Sequence, residues 1–533
     1  MKKNLIKLLS LALVIALACS LFAACGEKAE PATTTTTTTT DNSNTSSNAG
    51  STTPAHAATT PARDDIIIAT ANEPPTMAPF LHNAVAGGYM NILTHNTLLR
   101  NNIETLEMEP QLIESWEVLD DHTWQFKLRE GVKFHNGHVL NAEDVKASME
   151  FAREQVSFTA SYSQFWDSIE VIDDLTFNVH TKEVYAKTLD DMASHYAMPK
   201  KLLDEGNDFN TNPVGTGPYK FVKWTLGDKI EFEAFEDYFE GAPAIKKLTY
   251  RIIPEGSSRT IALEAGEIDV IIEVDNNDMP RLEADDGITV INKTGTSFNF
   301  LVLNNERPPF DNADFRHAIN CAVNKDALVA VALNGYGTGN YTQTPVVFPG
   351  HASEIPDEYN VEKAKEYLEK SGVDPKTVSF SCVCSDDVKR RCGEVIQAAL
   401  AELGITMNLE SMDLATYLSA AADGSLEACI GGYTSSNMMS FIEGKFTSKS
   451  IGGSNWTRTN DPHIDELYTK ATQTLDDDAR NAILTECCDY VNTICPQCPT
   501  YGANVTRAYN SNLQGIEVSA TNTLRWQYVS WAQ

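Results

Sequence analysis

The spacing of apolar positions along this chain changes from one segment to the next, and each spacing predicts an element. Asp65-Ile66-Ile67-Ile68-Ala69-Thr70 is a β-branched run closed by Asn72-Glu73-Pro74-Pro75, which predicts a buried strand running into a loop. From Trp124 to Leu128 apolar and polar residues alternate before a turn at Gly131, the pattern of a half-exposed antiparallel strand. Asn141-Ala142-Glu143-Asp144 offers a cap and an acidic first turn to a helix running toward Arg153. Residues 377–434 carry the most information. Val378, Phe380, Cys382 and Cys384 alternate onto one strand face, and Val388, Cys392, Val395, Ile396, Ala399, Leu400 and Leu403 then follow helical spacing up to a stop at Gly404. Ile405 to Leu409 reads as strand, Leu414 to Ala422 as helix and Leu426 to Ile430 as strand. Strand, helix, strand, helix, strand at these lengths is a parallel α/β layer, whose ligands sit beyond the carboxyl ends of the strands. The residues at that edge are Gly431-Gly432-Tyr433-Thr434-Ser435-Ser436-Asn437. An ordinary glycine-rich loop fits the same pattern. Toward the end, Asp461-Pro462 caps one helix, and a second ends before Pro496.

The N-terminal stretch follows neither spacing. Three lysines within Met1 to Lys7 precede an apolar run from Leu8 to Ala24, which reads as a secretory signal; a membrane-spanning helix is the competing reading. Leu21-Phe22-Ala23-Ala24-Cys25 resembles the bacterial lipobox, so Cys25 is the expected lipid attachment site after removal of residues 1–24. Residues 27–63, rich in Thr, Ser, Ala and Pro, cannot bury enough apolar surface to offset their ordering entropy. Such a linker spans roughly 30–37 Å, a leash between membrane and body.

Composition narrows the function classes. The 533 residues include 73 acids against 41 Lys and Arg, a formal charge of -32. That surface repels nucleic-acid phosphates and anionic headgroups, so no nucleic acid is expected as a partner. No His-Glu-x-x-His, Gly-x-Ser-x-Gly or Walker loop occurs. His135-Asn-Gly-His138 is a turn with solvated imidazoles rather than a ligand pair. Cys495-Pro-Gln-Cys498 has no second Cys-x-x-Cys to complete a zinc site, though a local disulfide there is open. The other body cysteines fall on apolar stripes, where a thiol behaves as a small hydrophobe. No catalytic residue, cofactor or metal is implied, and an exported hydrolase acting on peptides or glycosides is the alternative class.

Glu114-Ser-Trp-Glu-Val-Leu-Asp-Asp-His-Thr-Trp-Gln-Phe-Lys-Leu-Arg-Glu-Gly-Val-Lys-Phe-His-Asn-Gly137 resembles the signature of the extracellular solute-binding proteins, family 5, the oligopeptide-, dipeptide- and nickel-binding receptors of ABC importers. Asn212-Pro-Val-Gly-Thr-Gly-Pro-Tyr-Lys-Phe221, Asp237 to Pro243, Ala262 to Asp269, Arg316 to Asn320 and Asn334 to Gly337 resemble further family segments in the same order. The resemblance implies a two-lobed α/β periplasmic-binding-protein-like fold with an extra subdomain in lobe I and a ligand cleft between lobes. Lobe I is expected at 64–96, 212–296 and 505–533, its added subdomain at 97–211 and lobe II at 297–504. Crossings near Pro213–Gly217, Thr294–Phe298 and Asn504–Tyr509 are the hinge candidates. The implied function is a lipid-anchored, monomeric receptor on the extracytoplasmic face of the cell membrane, passing a small solute, most simply an oligopeptide, to an importer permease. Peptide binders of this family hold the peptide amine with an Asp just after a Gly-Trp strand end; Gly431 to Ile442 has Tyr433 instead of Trp and no acid. Glu73, following the first strand, is the expected replacement. Thr76, Met77, Tyr433, Thr434, Ser435 and Asn437 are expected to supply hydrogen bonds and apolar walls, with Trp456 and Arg458 as further contacts.

Overall fold

The computed structural model describes residues 63–82, 84–155, 165–355 and 357–532. The signal segment, Cys25 and the threonine-rich linker lie outside the described residues. Among the described residues no helix is long and apolar enough to cross a membrane.

Eleven strands form one sheet. In chain order they are β1 (Asp65–Thr70), β2 (Tyr219–Thr225), β3 (Lys229–Ala234), β4 (Lys247–Ile252), β5 (Val270–Ile271), β6 (Ile288–Leu303), β7 (Gly337–Gly339), β8 (Ser379–Cys384), β9 (Thr406–Ser411), β10 (Ala428–Thr434) and β11 (Gln497–Asn510). Across the sheet the order is β9-β8-β10-β6-β11-β5-β1-β4-β3-β2, with β7 added to β11. The parallel layer expected from the 377–434 pattern is present: β8 pairs parallel with both β9 and β10. Helices Asp387–Glu402 and Leu414–Asp423 make the two crossovers. Phe380, Cys382 and Cys384 pack on one face of β8 and Val383 on the other, so this strand is buried on both sides, as a central parallel strand must be.

Two long strands carry the sheet from one end to the other. β6 and β11 pair antiparallel from Ile288↔Asn510 to Thr294↔Asn504, slip, and resume from Ser297↔Ala503 to Val302↔Gln497. Beyond the slip β6 takes β10 as its other neighbour, from Ser297↔Thr434 to Leu303↔Ala428, while the far end of β11 pairs with β5. The slip needs a glycine, because a Cβ on Gly295 would meet the carbonyl oxygen of Ala503 at 2.7 Å. On either side lie separate cores. Ile66, Ile68, Tyr219, Phe232, Leu248, Tyr250 and Trp526 pack together in the first lobe; Phe298, Phe300, Tyr417, Phe441 and Cys488 do so in the second.

A separate four-stranded antiparallel sheet, ordered Ile113–Asp120, Thr123–Leu128, Thr176–Thr181 and Trp166–Val171, encloses a third core around Trp124, Phe126, Phe134 and Trp166. Helix Ala142–Glu154 packs there, and Asn141 closes it with a reciprocal capping box to Asp144. The expected hinge at Pro213–Gly217 is corrected. A Cβ on Gly215 would lie 2.2 Å from the Thr94 carbonyl oxygen, and one on Gly217 2.3 Å from that of Leu93. This segment leads into β2 and packs against the end of helix Val85–Thr94, so it joins parts of one lobe rather than crossing between lobes. His135 departs from the solvated turn as well: its Nε2 lies 2.9 Å from the Gly217 carbonyl, and burial lowers its pKa to about 4.

All nine body cysteines are free and buried, including Cys495 and Cys498. His317, Asp357 and Cys495 bring their side-chain donor atoms within 4.8 Å of one another. Both imidazole nitrogens already face oxygen acceptors, Nδ1 at 2.5 Å from Asp357 Oδ2 and Nε2 at 2.9 Å from the Thr493 carbonyl. Two acceptors require two ring protons, so the group is an imidazolium ion-paired with Asp357. Burial opposes the charge, but Asp357 and Cys495 together outweigh it and raise the His317 pKa to about 11. A raised folded-state pKa stabilises the fold fully below the ordinary value of 6.5, and that contribution fades as pH climbs toward about 11. His317→Gln is expected to cost about 3–5 kcal/mol at pH 6. Denaturant titrations should show the gap from wild type narrowing steadily above pH 7; a gap independent of pH would mean the ring is neutral.

Candidate binding cleft

A cavity of about 520 Å³ opens at the slip between β6 and β11. One wall comes from helix Val85–Thr94, through Val85, Gly88, Tyr89 and Ile92, and from Glu273, which follows β5. Gly295, Thr296 and Ser297 with Ala503, Asn504 and Val505 contribute the two crossing strands, and Thr434 ends β10. Thr506 and Arg507 of β11, Tyr196, and Ala520 to Thr523 of the C-terminal segment complete the lining.

A chain of polar contacts runs through the first-lobe wall. Arg507, only 1% exposed, donates to the carbonyl oxygens of Ile272 and Thr506 and to Asn522 Oδ1. Asn522 Nδ2 donates to the Tyr89 hydroxyl at 2.7 Å, and that hydroxyl donates to Glu273 Oε1 at 3.3 Å. Burial pushes the Tyr89 phenol up to about 12, so it stays a hydrogen-bond donor at neutral pH. Burial lowers the pKa of Arg507, with Tyr89 and Glu273 opposing.

Thr434 is the one expected contact residue that lines this cavity. Glu73 lies elsewhere: its Oε1 accepts from the Trp224 indole and the Gly227 amide, both at 2.8 Å, tying the loop after β1 to the β2–β3 turn. Thr76 is held by Asn210 at 2.7 Å, and Met77 is buried in the first-lobe core. Tyr433 and Trp456 flank the buried Lys445, whose ammonium sits 4.4 Å from the Phe300 ring centre, 5.0 Å from Trp456 and 5.5 Å from Tyr433. Burial lowers the Lys445 pKa to about 7. Ser435 Oγ is buried without a partner. Asn437 caps helix Met438–Phe446 by accepting from the Ser440 amide, and borders a second cavity of about 410 Å³ beside Trp116 and Asp190. Arg458 is paired with Glu306 at 2.5 Å.

Sequence reasoning missed Glu273, Tyr89, Arg507 and Asn522. One signal was within reach. β5 runs parallel to β1, with Ile68 and Ala69 opposite Val270 and Ile271, so an acid just after β5 stands at the same carboxyl edge as one after β1.

The added subdomain touches the second lobe directly. Lys187 pairs with Glu443 at 2.8 Å, the Ala186 amide donates to the Thr472 carbonyl, and Lys449 also reaches Glu443, at 2.7 Å. Burial alone would raise the Glu443 pKa; Lys187, with help from Lys449, holds it down to about 2.

With this geometry described, relatives can be placed beside it. Residues 107–452 match the model of the bacterial extracellular solute-binding proteins, family 5, middle region, and the chain belongs to that family. It is 28% identical over 449 residues to heme-binding protein A of Haemophilus influenzae, covering 77% of this chain and 82% of that one. It is also 28% identical over 425 residues to the dipeptide-binding protein of Escherichia coli K12, covering 72% and 79%. Among solved structures, HbpA2 from Haemophilus parasuis superposes with a TM-score of 0.80 at 25% identity, over 88% of this chain and 100% of that one. The chain is therefore a two-lobed solute-binding receptor of the ABC importer class, and not an enzyme.

Glu443→Gln removes one partner of a largely buried ion pair that holds the subdomain to the second lobe. Its expected effect is a drop in ligand affinity of about tenfold, carried by faster release. Stopped-flow dissociation measures this; an unchanged release rate would show that the pair does not contribute to holding the lobes together.

Proposed function

We propose that this receptor is anchored by lipid at Cys25 on the extracytoplasmic face of the membrane and, as a monomer, captures a short peptide for its importer. The observation that carries the reading is the position of the cavity. Its walls come from both sides of the β6–β11 slip, so a ligand lying in it touches both lobes and favours their closed arrangement. About 520 Å³ falls within the range of small-ligand sites. The strand edges at Gly295–Ser297 and Ala503–Val505 add peptide groups to the lining, suited to an extended main chain. Lobe I at 64–96, 212–296 and 505–533, its subdomain at 97–211 and lobe II at 297–504 are part of this reading.

A peptide is supported by the names of relatives. Besides the dipeptide-binding protein, a glutathione-binding protein GsiB of Pectobacterium atrosepticum is 29% identical over 310 residues, 57% of this chain. The lipid anchor rests on Ala23-Ala24-Cys25 behind an apolar run.

One variant tests both parts. Cys25→Ser is expected to move the protein from the membrane fraction to the soluble one. Native mass spectrometry of that soluble chain is then expected to show a single peptide-sized ligand. A variant that stays membrane-bound with residues 1–24 attached would overturn the anchor. A bound heme, seen by its visible absorbance, would overturn the peptide.

A further inference from the structure

We infer that Glu273 is the counter-charge for the ligand's cation, in a peptide its free α-ammonium. The assignment rests on the peptide-receptor reading and supplies the acid that is missing from Gly431 to Ile442. Among the described residues Glu273 is the sole carboxylate in the lining of the 520 Å³ cavity. It is half-buried, and among the described residues the only side-chain hydrogen bond its carboxylate accepts is the one from Tyr89, at 3.3 Å. Its second oxygen therefore has no side-chain donor among the described residues, in a residue that lines the cavity.

Two neighbouring arginines act on the Glu273 charge without pairing with it. Arg507 also lines the cavity, but it is only 1% exposed and both its Nη groups are turned to Ile272, Thr506 and Asn522. Arg259 binds the backbone oxygens of Ile253, Pro254 and Glu273, and its charge is felt first by the Glu273 carboxylate and then by Asp275 and Glu255. Neither guanidinium forms an ion pair with the Glu273 carboxylate among the described residues, so neither comes as close as a bound ammonium would. Because Coulomb attraction falls with distance, an ammonium hydrogen-bonded at about 2.7–2.9 Å gains more from Glu273 than it loses to those arginines. The Arg507–Asn522–Tyr89 chain fixes the carboxylate before the ligand arrives, which lowers the ordering cost of binding.

A purely structural role, in which Glu273 only balances Arg507, predicts a different result, and charge selectivity separates the two. The probes are an equimolar tripeptide library and the same library N-acetylated, offered together to the full chain, with retained peptides quantified by mass spectrometry after gel filtration. Wild type is expected to favour free amines. Glu273→Gln, which keeps an acceptor for Tyr89, is expected to cut the free-to-acetylated ratio at least tenfold while still retaining acetylated peptides. Tyr89→Phe, which frees the carboxylate to turn, is expected to cut it by a smaller factor and serves if the first variant fails to fold. An undiminished ratio in the variants, or no preference in wild type, overturns the role of Glu273 and leaves the receptor reading standing. No retention of either library by wild type overturns the peptide reading, and with it this assignment.

Discussion

The β6–β11 pair is the constraint on which the rest of the molecule depends. These two strands must keep a hydrogen-bonded ladder from one lobe into the other and still bend between them. Each ladder bond contributes only about 0.5–1.5 kcal/mol net, but a buried backbone group left unpaired costs about as much or more. The ladder therefore cannot simply end at the boundary. Instead it slips between Thr294 and Ser297, with Gly295 against the Ala503 carbonyl, and resumes in a new register. A bulge of this kind bends and twists a strand without breaking the sheet. The cavity lies where the pairing is interrupted, and this couples ligand position to lobe position.

The charges around the cavity follow a similar division. Arg507 is buried within the first-lobe wall and bonded to backbone carbonyls and Asn522, while the less buried Glu273 lines the same cavity. On the second lobe the strand end at Tyr433 rests on Lys445, an amine enclosed by three aromatic rings and bonded to the Ser454 carbonyl at 2.8 Å. One lobe thus presents an acid to the ligand, and the other presents hydroxyl and backbone groups stiffened from below. Lys187 and Glu443 join the subdomain to the second lobe at a distance from the cavity, so closure gains from contacts that the ligand itself does not make.

Much of this fold was legible because local patterns decided it. The alternation at Phe380, Cys382 and Cys384, the helical stripe ending at Gly404 and the cap at Asn141 all depend on neighbours in sequence, and all appear as read. The two-lobed architecture followed from the family resemblance. The cleft was legible only at Thr434. Glu73 and Glu273 both follow strands at the same sheet edge, but Trp224 and Gly227 bind Glu73 from a hairpin more than 150 positions away, which no local pattern reveals. Asn437 and Trp456 were expected beside the ligand; Asn437 caps a helix and Trp456 packs against Lys445, roles set by neighbours that the local pattern does not show. Pro213–Gly217 looked like a flexible crossing, yet its glycines are there for close packing against Thr94 and His95.

The central claim is that ligand closes two lobes about the β6–β11 slip. Small-angle scattering on the full chain, first freed of ligand by unfolding and refolding and then saturated with a peptide it retains, tests that claim most directly. The account predicts a radius of gyration that falls on saturation. A radius that does not change would contradict it, and would mean that the ladder holds the lobes in one fixed arrangement around a permanent cleft.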